Sequence, residues 1–226
     1  TYGVEKEADF KAANIKLYDD RTEYDLIIDK QKYKVSTPIL GNFNVYNTLA
    51  AITTCILLGL SREDVIKRVQ NLKSVSGRLD KVENDKNVNI IVDYAHTPDA
   101  LLNILKSARL FTKNRIILVF GCGGNRDKAK RPIMGKIAQQ NADISIITSD
   151  NPRFEKEMDI IEDILCGIDK TLDNYFVVQD REDSIKKAIE LYEVGDLIII
   201  AGKGHENYQI CCDKKYFFDD KLIAKK

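Results

Sequence analysis

The sequence predicts an α/β protein, in which a mostly parallel sheet with helices on both faces follows the incomplete end of another α/β domain. From Gly77 onward, apolar strand-like segments alternate with helical ones, as they do in proteins built on parallel sheets. Before Gly77 the order is different, with strand-like segments first and two helices after them. We therefore predict a domain boundary near Ser76 or Gly77, which gives one domain at 1–76 and another at 77–226.

The first region begins with β structure. Apolar residues alternate with charged ones, between charged turns, in Asp9–Leu17, Tyr24–Asp29 and Lys32–Thr37. Two helices are expected next, at Asn44–Leu58 and Arg62–Leu72. Gly59 is placed to end the first helix, and Ser61 is a typical N-cap for the second, which carries acidic residues in its first turn.

The second region contains five segments expected to form parallel strands. They are Asn89–Asp93, Arg115–Phe120, Asp143–Thr148, Tyr175–Gln179 and Asp196–Ala201. Thr97 and Pro98 are an N-cap and a first helical residue, and Asp180 starts a helix at Arg181–Tyr192. Because ligands of open α/β sheets bind beyond the carboxyl ends of the strands, we expect the site in the loops that follow them.

Composition excludes several classes of function. Thirty-five Lys and Arg balance thirty-five Asp and Glu, so neither a nucleic acid nor an anionic membrane surface is expected as a partner. The most apolar run, Leu197–Ala201, is far shorter than the roughly 20 residues that span a bilayer, and no signal peptide is recognisable. The five cysteines form no CxxC pair or zinc spacing. We expect a cytoplasmic monomer with no metal site formed by this chain.

The loop Gly121–Asp127 follows an apolar strand and is rich in glycine. It is similar to a phosphate-binding turn, but Arg126 occupies the place of the last glycine of a GxGxxG fingerprint. The glycines alone are better explained by a tight turn from strand to helix. Arg126 and Arg131, with Asp127 between them, favour a site for an anionic group.

Two other loops place charged residues at strand ends. Asp150–Arg153 reads Asp-Asn-Pro-Arg, which is equally consistent with an ordinary turn and with a binding site. Gly202–Glu206 follows the most apolar strand and adds Lys203, His205 and Glu206. A binding function is the better explanation there, because a histidine and a glutamate at the end of a buried strand have no evident structural purpose.

Six segments of this chain, in this order, resemble motifs of the Mur ligase family. They are Gly41–Asn47, Gly77–Asp80, Asp93–Pro98, Gly121–Pro132, Ser149–Arg153 and Gly202–Gln209. The resemblance covers essentially the whole chain. It implies a Rossmann-like C-terminal ligase domain at 77–226, preceded at 1–76 by the incomplete end of the central ATP-binding domain.

Within the family, the motifs most resemble those of the members that add the third amino acid to the peptidoglycan stem peptide. The resemblance implies that ATP and Mg²⁺ serve to phosphorylate a carboxylate of UDP-N-acetylmuramoyl-L-alanyl-D-glutamate, and that a diamino acid then attacks the acyl phosphate. The family's phosphate loop, main magnesium ligands and carbamylated lysine lie upstream of Thr1. No complete catalytic set is therefore expected here, and this chain alone should be inactive.

Site residues follow from the matched motifs. The ATP site implied by the resemblance contains Asn44, Asn47, Arg78, Asp93 and His96. Arg78 suits a phosphate and Asp93 suits a ribose hydroxyl. The implied pocket for the incoming amino acid contains Arg126, Asp150, Asn151, Arg153, Gly202 and Glu206.

The Asp-Asn-Pro-Arg segment resembles that of family members that use meso-diaminopimelate rather than lysine. Arg153 can hold a distal carboxylate through two hydrogen bonds, whereas the ammonium of lysine would meet a like charge. Glu206 and the Gly202 carbonyl can bind the distal ammonium. A diamino dicarboxylate analogue of the same length fits equally well.

Two alternatives remain open. Another member of the same family, such as a folylpolyglutamate synthetase, would share the fold, but two arginines and an acid suit a zwitterion with a second carboxylate. A non-catalytic nucleotide-binding module would need a full glycine fingerprint, which this sequence lacks.

Overall fold

The computed structural model describes residues 1–225, which divide into a unit at Thr1–Val75 and a second unit from Ser76 onward. None of the helices described in this range is long and apolar enough to cross a membrane.

The first unit combines a four-stranded sheet with two helices. Its strands are β1 (Tyr2–Gly3), β2 (Phe10–Leu17), β3 (Thr22–Ile28) and β4 (Gln31–Thr37), and its helices are α1 (Asn42–Leu57) and α2 (Arg62–Val69). The strands lie in chain order, with β1 parallel to β2 and the other pairs antiparallel. The three predicted strands and both predicted helices are present, whereas β1 was not predicted. Gly59 ends α1 with φ +91°, as expected, while Leu60 N donates to Cys55 O.

The second unit is larger and alternates strands with helices. Its elements are β5 (Asp80–Lys81), β6 (Ile90–Asp93), α3 (Pro98–Arg109), β7 (Ile116–Phe120), α4 (Lys130–Asn141), β8 (Ile144–Ile147), α5 (Glu157–Leu165), β9 (Tyr175–Val177), α6 (Arg181–Leu191), β10 (Leu197–Ala201), β11 (Tyr208–Cys211), β12 (Lys214–Phe217) and α7 (Asp220–Ala224). The main sheet has the order β5-β6-β10-β7-β8-β9, and only β5 is antiparallel to its neighbour. β11 and β12 form a separate antiparallel hairpin.

Both faces of the main sheet are covered by helices. Ile198 and Ile200 of β10 pack in one core with Ile185 of α6 and Ala224 of α7. Because successive side chains of a strand point to opposite faces, Ile199 points to the other side. There α3 contacts β7 and α4 contacts β8. The predicted class, an α/β fold with a mostly parallel sheet and helices on both faces, is confirmed.

Strand register aligns the carboxyl ends of the central strands. Ala201 lies opposite Asp93, and Phe120 lies opposite Ile147. The loops that follow β6, β7, β8 and β10 therefore leave the sheet at one edge, called here the carboxyl edge.

Candidate ligand site at the carboxyl edge

The loop after β7 packs tightly against the loop after β8. A Cβ on Gly121 would lie 2.2 Å from Thr148 O, and one on Gly124 would lie 1.9 Å from Pro152 O. Gly124 N also donates to Asn151 O at 2.9 Å. These two glycines are needed for the close approach of two backbones, which is the explanation favoured from the sequence.

Arg131 does not belong to the candidate site. Its guanidinium is fully buried on α4 and donates to Glu155 at 2.9 Å and to Asp163 at 2.8 Å. Bonds from Arg131 and from Asn125 N lower the pKa of the Glu155 carboxyl to about 2. The expectation that Arg131 binds an external anion is therefore wrong, because two carboxylates of this chain already neutralise it.

Arg126 and Arg153 lie close together beside Gly123. A Cβ on Gly123 would be 2.9 Å from Arg153 Nη1 and 3.7 Å from Arg126 Cγ. Arg153 is partly buried and donates from Nη1 to Gly124 O at 2.9 Å, whereas Arg126 is exposed. The guanidinium of Arg153 and the aliphatic part of the Arg126 side chain thus lie on the same side of Gly123, at the carboxyl edge.

The backbone of Arg153 adopts the left-handed conformation, with φ +53°. The hairpin holds it there: Arg153 N donates to Ile210 O at 3.0 Å, and Arg153 O accepts from Cys212 N at 2.7 Å. An arginine in this region of φ/ψ space is strained by about 1–2 kcal/mol. Backbone pairing with the β11 segment therefore sets the direction in which the guanidinium leaves the loop.

Asn151 connects the loop after β8 to the loop after β10. Its Nδ2 donates to Glu206 Oε2 at 3.0 Å. Its Oδ1 accepts from Ile210 N at 2.9 Å and from Lys203 Nζ at 3.2 Å. The sequence does not assign Lys203 to the site. The structure buries this lysine completely beside Asn151 and Glu206, which are assigned to it.

Asp150 is a buried carboxylate at the same edge. Its Oδ2 would lie 2.8 Å from a Cβ on Gly202, whose φ is +115°. Arg181 Nη1 lies 4.0 Å from that oxygen, although the Arg181 guanidinium makes its closest bonds to Asp220, both at 2.8 Å. Any side chain at Gly202 would be strained and would displace Asp150.

A second cluster surrounds Tyr94, in the loop after β6. The guanidinium of Arg78 lies 4.8 Å from the centre of the Tyr94 ring, within cation–π range. The rings of His96 and His205 lie 4.6 Å and 5.6 Å from the same ring. Arg78 and both histidines are exposed, so this cluster presents donors and a cation to solvent.

Asp93 supports the loops of that cluster. Its Oδ2 accepts from Leu79 N and its Oδ1 from Ala95 N, both at 2.8 Å. Burial raises the pKa of the Asp93 carboxyl, and these two backbone bonds oppose the shift. Both oxygens are thus engaged in holding Leu79, which has φ +45°, and Ala95 in place.

Asn44 and Asn47 lie on α1, in the first unit. Asn44 is buried and donates to Leu40 O at 2.7 Å, while its Oδ1 accepts from Asn47 Nδ2 at 2.8 Å. Asn47 is exposed. The other assigned residues all lie in the second unit, in two groups: Arg78, Asp93 and His96 near Tyr94, and Arg126, Asp150, Asn151, Arg153, Gly202 and Glu206 around the loops after β7, β8 and β10.

Comparison with known proteins gives matches along most of the chain. Residues 77–204 match the family model described as Mur ligase, glutamate ligase domain, and residues 1–55 match the Mur ligase middle domain. The UDP-N-acetylmuramoyl-L-alanyl-D-glutamate–2,6-diaminopimelate ligase of Clostridioides difficile is 50% identical over 99% of this chain and 46% of its own length. The ligase of the same name from Clostridium botulinum is 47% identical over 100% of this chain and 47% of its length.

Solved structures of Mur ligases also match this chain. A structure of a UDP-N-acetylmuramoyl-L-alanyl-D-glutamate–2,6-diaminopimelate ligase matches with a TM-score of 0.74 and 36% identity, over 99% of this chain and 46% of that one. The UDP-N-acetylmuramate–alanine ligase of Thermotoga maritima, at 22% identity and a TM-score of 0.67 over 89% of this chain and 44% of its own, shares the fold. The chain spans about half the length of the relatives it matches.

Proposed function

Because the chain belongs to the Mur ligase family, we propose that it is the amino-acid-binding part of an ATP-dependent amide ligase. The reaction joins a diamino acid, meso-diaminopimelate, to UDP-N-acetylmuramoyl-L-alanyl-D-glutamate in peptidoglycan synthesis. Residues 77–226 form the ligase domain for the incoming amino acid, and residues 1–76 are the end of the central ATP-binding domain. The names of the similar ligases from two Clostridia support this substrate.

The observation that carries the proposal is the grouping of opposite charges at the carboxyl edge. Arg126 and Arg153 lie beside Gly123, while Asp150 and Glu206 lie beside Gly202 and Asn151. Asn151 links the two groups, because its backbone carbonyl accepts from Arg153 Nη1 at 3.4 Å and its side chain donates to Glu206. Cations and carboxylates grouped around one residue suit the zwitterionic end of an amino acid, which carries a carboxylate and an ammonium on one carbon.

The pocket favours a ligand whose distal end carries both an ammonium and a carboxylate over one whose distal end carries only an ammonium. One nitrogen of the Arg153 guanidinium donates to Gly124 O. The remaining N–H groups of this planar group can bind a carboxylate. Glu206 and the Gly202 carbonyl bind the ammonium. Lysine has no carboxylate at its distal end and brings a positive charge to the arginines, so it binds less well.

ATP binding is proposed for Arg78, Asp93 and His96 in the second unit and, separately, for Asn44 and Asn47 in the first. Arg78 is exposed and fits the charge of a phosphate, and His96 is exposed beside the same Tyr94 ring. Asp93 orders the loops and has lone pairs left for a ribose hydroxyl, and Asn44 and Asn47 bind near the adenine. ATP, with Mg²⁺ held mainly by residues upstream of Thr1, supplies the phosphoryl group that activates the substrate carboxylate. The second unit binds and orients the attacking amine.

We propose that the enzyme is a cytoplasmic monomer that acts on the UDP-linked dipeptide and the diamino acid, without nucleic acid or membrane partners. The balanced charge of this chain supports the absence of nucleic-acid and membrane partners. This chain alone is proposed to bind ligand without turning it over.

Calorimetric titration of the chain tests the amino-acid assignment. We expect measurable binding of meso-diaminopimelate, weaker binding of lysine and weaker binding of glutamate, because only the first provides both charges at its distal end. A preference for lysine would contradict the role of Arg153. A preference for glutamate would support a folylpolyglutamate synthetase instead.

A further inference from the structure

Lys203 is completely buried in the loop after β10, where a charged side chain needs a specific partner. Its Nζ donates to Asn151 Oδ1 at 3.2 Å and lies 3.7 Å from Glu206 Oε2. The ring of Tyr208 lies 5.9 Å from the same nitrogen. Both polar partners of Lys203 therefore belong to the proposed amino-acid pocket.

The neighbouring buried cation, Arg181, is differently placed. Its guanidinium makes two 2.8 Å bonds to Asp220, which is also fully buried, and a 3.0 Å bond to Ala201 O. Asp220 thus neutralises Arg181 at contact distance. Lys203 has no carboxylate at that distance, and its nearest is Glu206 Oε2 at 3.7 Å. Burial lowers the pKa of the Lys203 ammonium, the carboxylates of Asp150, Asp220 and Glu206 oppose that shift, and the charge of Arg181 adds to it.

The bond from Lys203 also fixes the orientation of an amide. Asn151 Oδ1 accepts from both Lys203 Nζ and Ile210 N, so Nδ2 must point to Glu206. Within residues 1–225, the contacts of Glu206 with Asn151 and Lys203 are made through Oε2. Oε1 is left to accept a hydrogen bond from the ligand.

On these contacts we propose that Lys203 is a positioning and specificity-determining residue of the amino-acid pocket, an inference that rests on the proposed function. It orients Asn151 and Glu206 toward the distal ammonium of the ligand. Its charge also offsets the carboxylates of Asp150 and Glu206, so that the pocket accepts a distal group that carries its own carboxylate.

Removal of the Lys203 charge should change the relative affinities of the pocket for the two ligands. With Lys203 present, a buried cation offsets the charges of the buried Asp150 and the half-buried Glu206, and the zwitterionic end of a diamino dicarboxylate is favoured. Without that cation, the pocket becomes more negative. The net positive distal end of lysine then gains relative to the neutral zwitterion, whereas a residue with only a packing role would weaken both ligands alike.

The test uses Lys203→Met, which removes the charge and the donor, and Lys203→Gln, which removes the charge but keeps a donor for Asn151. Binding of meso-diaminopimelate, lysine and ATP is measured by calorimetry on the chain and by KM in the full-length enzyme. Lys215→Gln is the matched control, because Lys215 lies 4.3 Å from the same Tyr208 ring but is exposed on β12. Thermal unfolding reports whether each variant folds. If Lys203→Met does not fold, Lys203→Gln decides the test.

We expect both Lys203 variants to bind meso-diaminopimelate about tenfold more weakly or worse, with a lower ratio of diaminopimelate to lysine affinity. The ATP affinity of both Lys203 variants should equal that of the wild type. The Lys215→Gln control should bind all three ligands as the wild type does. An unchanged ratio in a folded Lys203→Gln protein overturns the proposal. Failure of the wild-type protein to bind any diamino acid counts instead against the proposed function.

Discussion

At the scale of single residues, Arg153 combines backbone strain with a side chain assigned to the proposed amino-acid pocket. Its φ of +53° is unfavourable for arginine, and the 2.7 Å and 3.0 Å backbone bonds to the hairpin segment maintain it. Such strain persists where the surrounding structure requires one side-chain direction. Here the required direction keeps the guanidinium near Gly123 and Arg126.

Arg153→Ala in the full-length enzyme should raise the KM for the diamino acid by about 10- to 100-fold, because it removes the charge-assisted bond proposed for the distal carboxylate. The KM for ATP should change little. Steady-state kinetics with each substrate varied in turn measures both effects.

Arg153→Gly separates the side chain from the backbone. Glycine adopts φ +53° without strain, so this variant should be at least as stable as Arg153→Ala in urea unfolding and should bind the diamino acid as poorly. Arg109→Ala, which removes an exposed arginine paired with Asp143 outside the site, is the control. Equal loss of affinity for ATP and for the diamino acid would argue against the assigned role of Arg153.

Sequence reasoning identified which loops carry charge but not which charges stay available to a ligand. Arg126 and Arg131 are five residues apart and looked equivalent, yet Arg126 is exposed and Arg131 is fully buried against Glu155 and Asp163. The carboxylate that neutralises Arg181 is far along the chain, at Asp220. Such ion pairs depend on tertiary packing, so no local sequence pattern predicts them.

At the scale of elements, the parallel strands were predictable because buried strands are continuous apolar runs. β7 and β10, for example, are fully buried and lie within the predicted segments. β5 has two residues, too few for a period to be seen. The hairpin of β11 and β12 has no buried face, and its turn at Cys212 lacks the Asn-Gly or Asp-Gly pair that signals a hairpin.

Element packing also depends on the ion pair of Arg181 and Asp220, which ties the start of α6 to α7. Both side chains are fully buried. Arg181→Met should lower the free energy of unfolding by about 3–5 kcal/mol, because it leaves Asp220 buried without its counter-charge. Urea unfolding followed by circular dichroism measures the change.

The double variant Arg181→Met, Asp220→Leu provides the control for that prediction. Because it leaves no uncompensated charge between α6 and α7, it should be more stable than Arg181→Met alone. If the double variant is as unstable as the sum of the two single variants, the pair is not coupled and the interpretation is wrong.

At the scale of the whole molecule, each of the two units has its own hydrophobic core. Leu26, Leu49 and Ile52 belong to the core of the first unit, and Ile117 and Ile198 to that of the second. Every residue assigned to the amino-acid pocket lies in the second unit, whereas Asn44 and Asn47 of the proposed ATP site lie in the first. Binding of the two ligands should therefore be separable.

A protein that begins at Ser76 and continues to the end of the chain should fold cooperatively and bind meso-diaminopimelate with an affinity close to that of the whole chain. The core of the second unit and every residue assigned to the amino-acid pocket are retained. ATP binding should fall, because α1 is removed. Circular dichroism, urea unfolding and calorimetry with each ligand measure these outcomes, and Arg153→Ala in the same shortened protein is the control for specific binding. Cooperative folding with loss of diamino-acid binding would contradict the assignment of the pocket to the second unit.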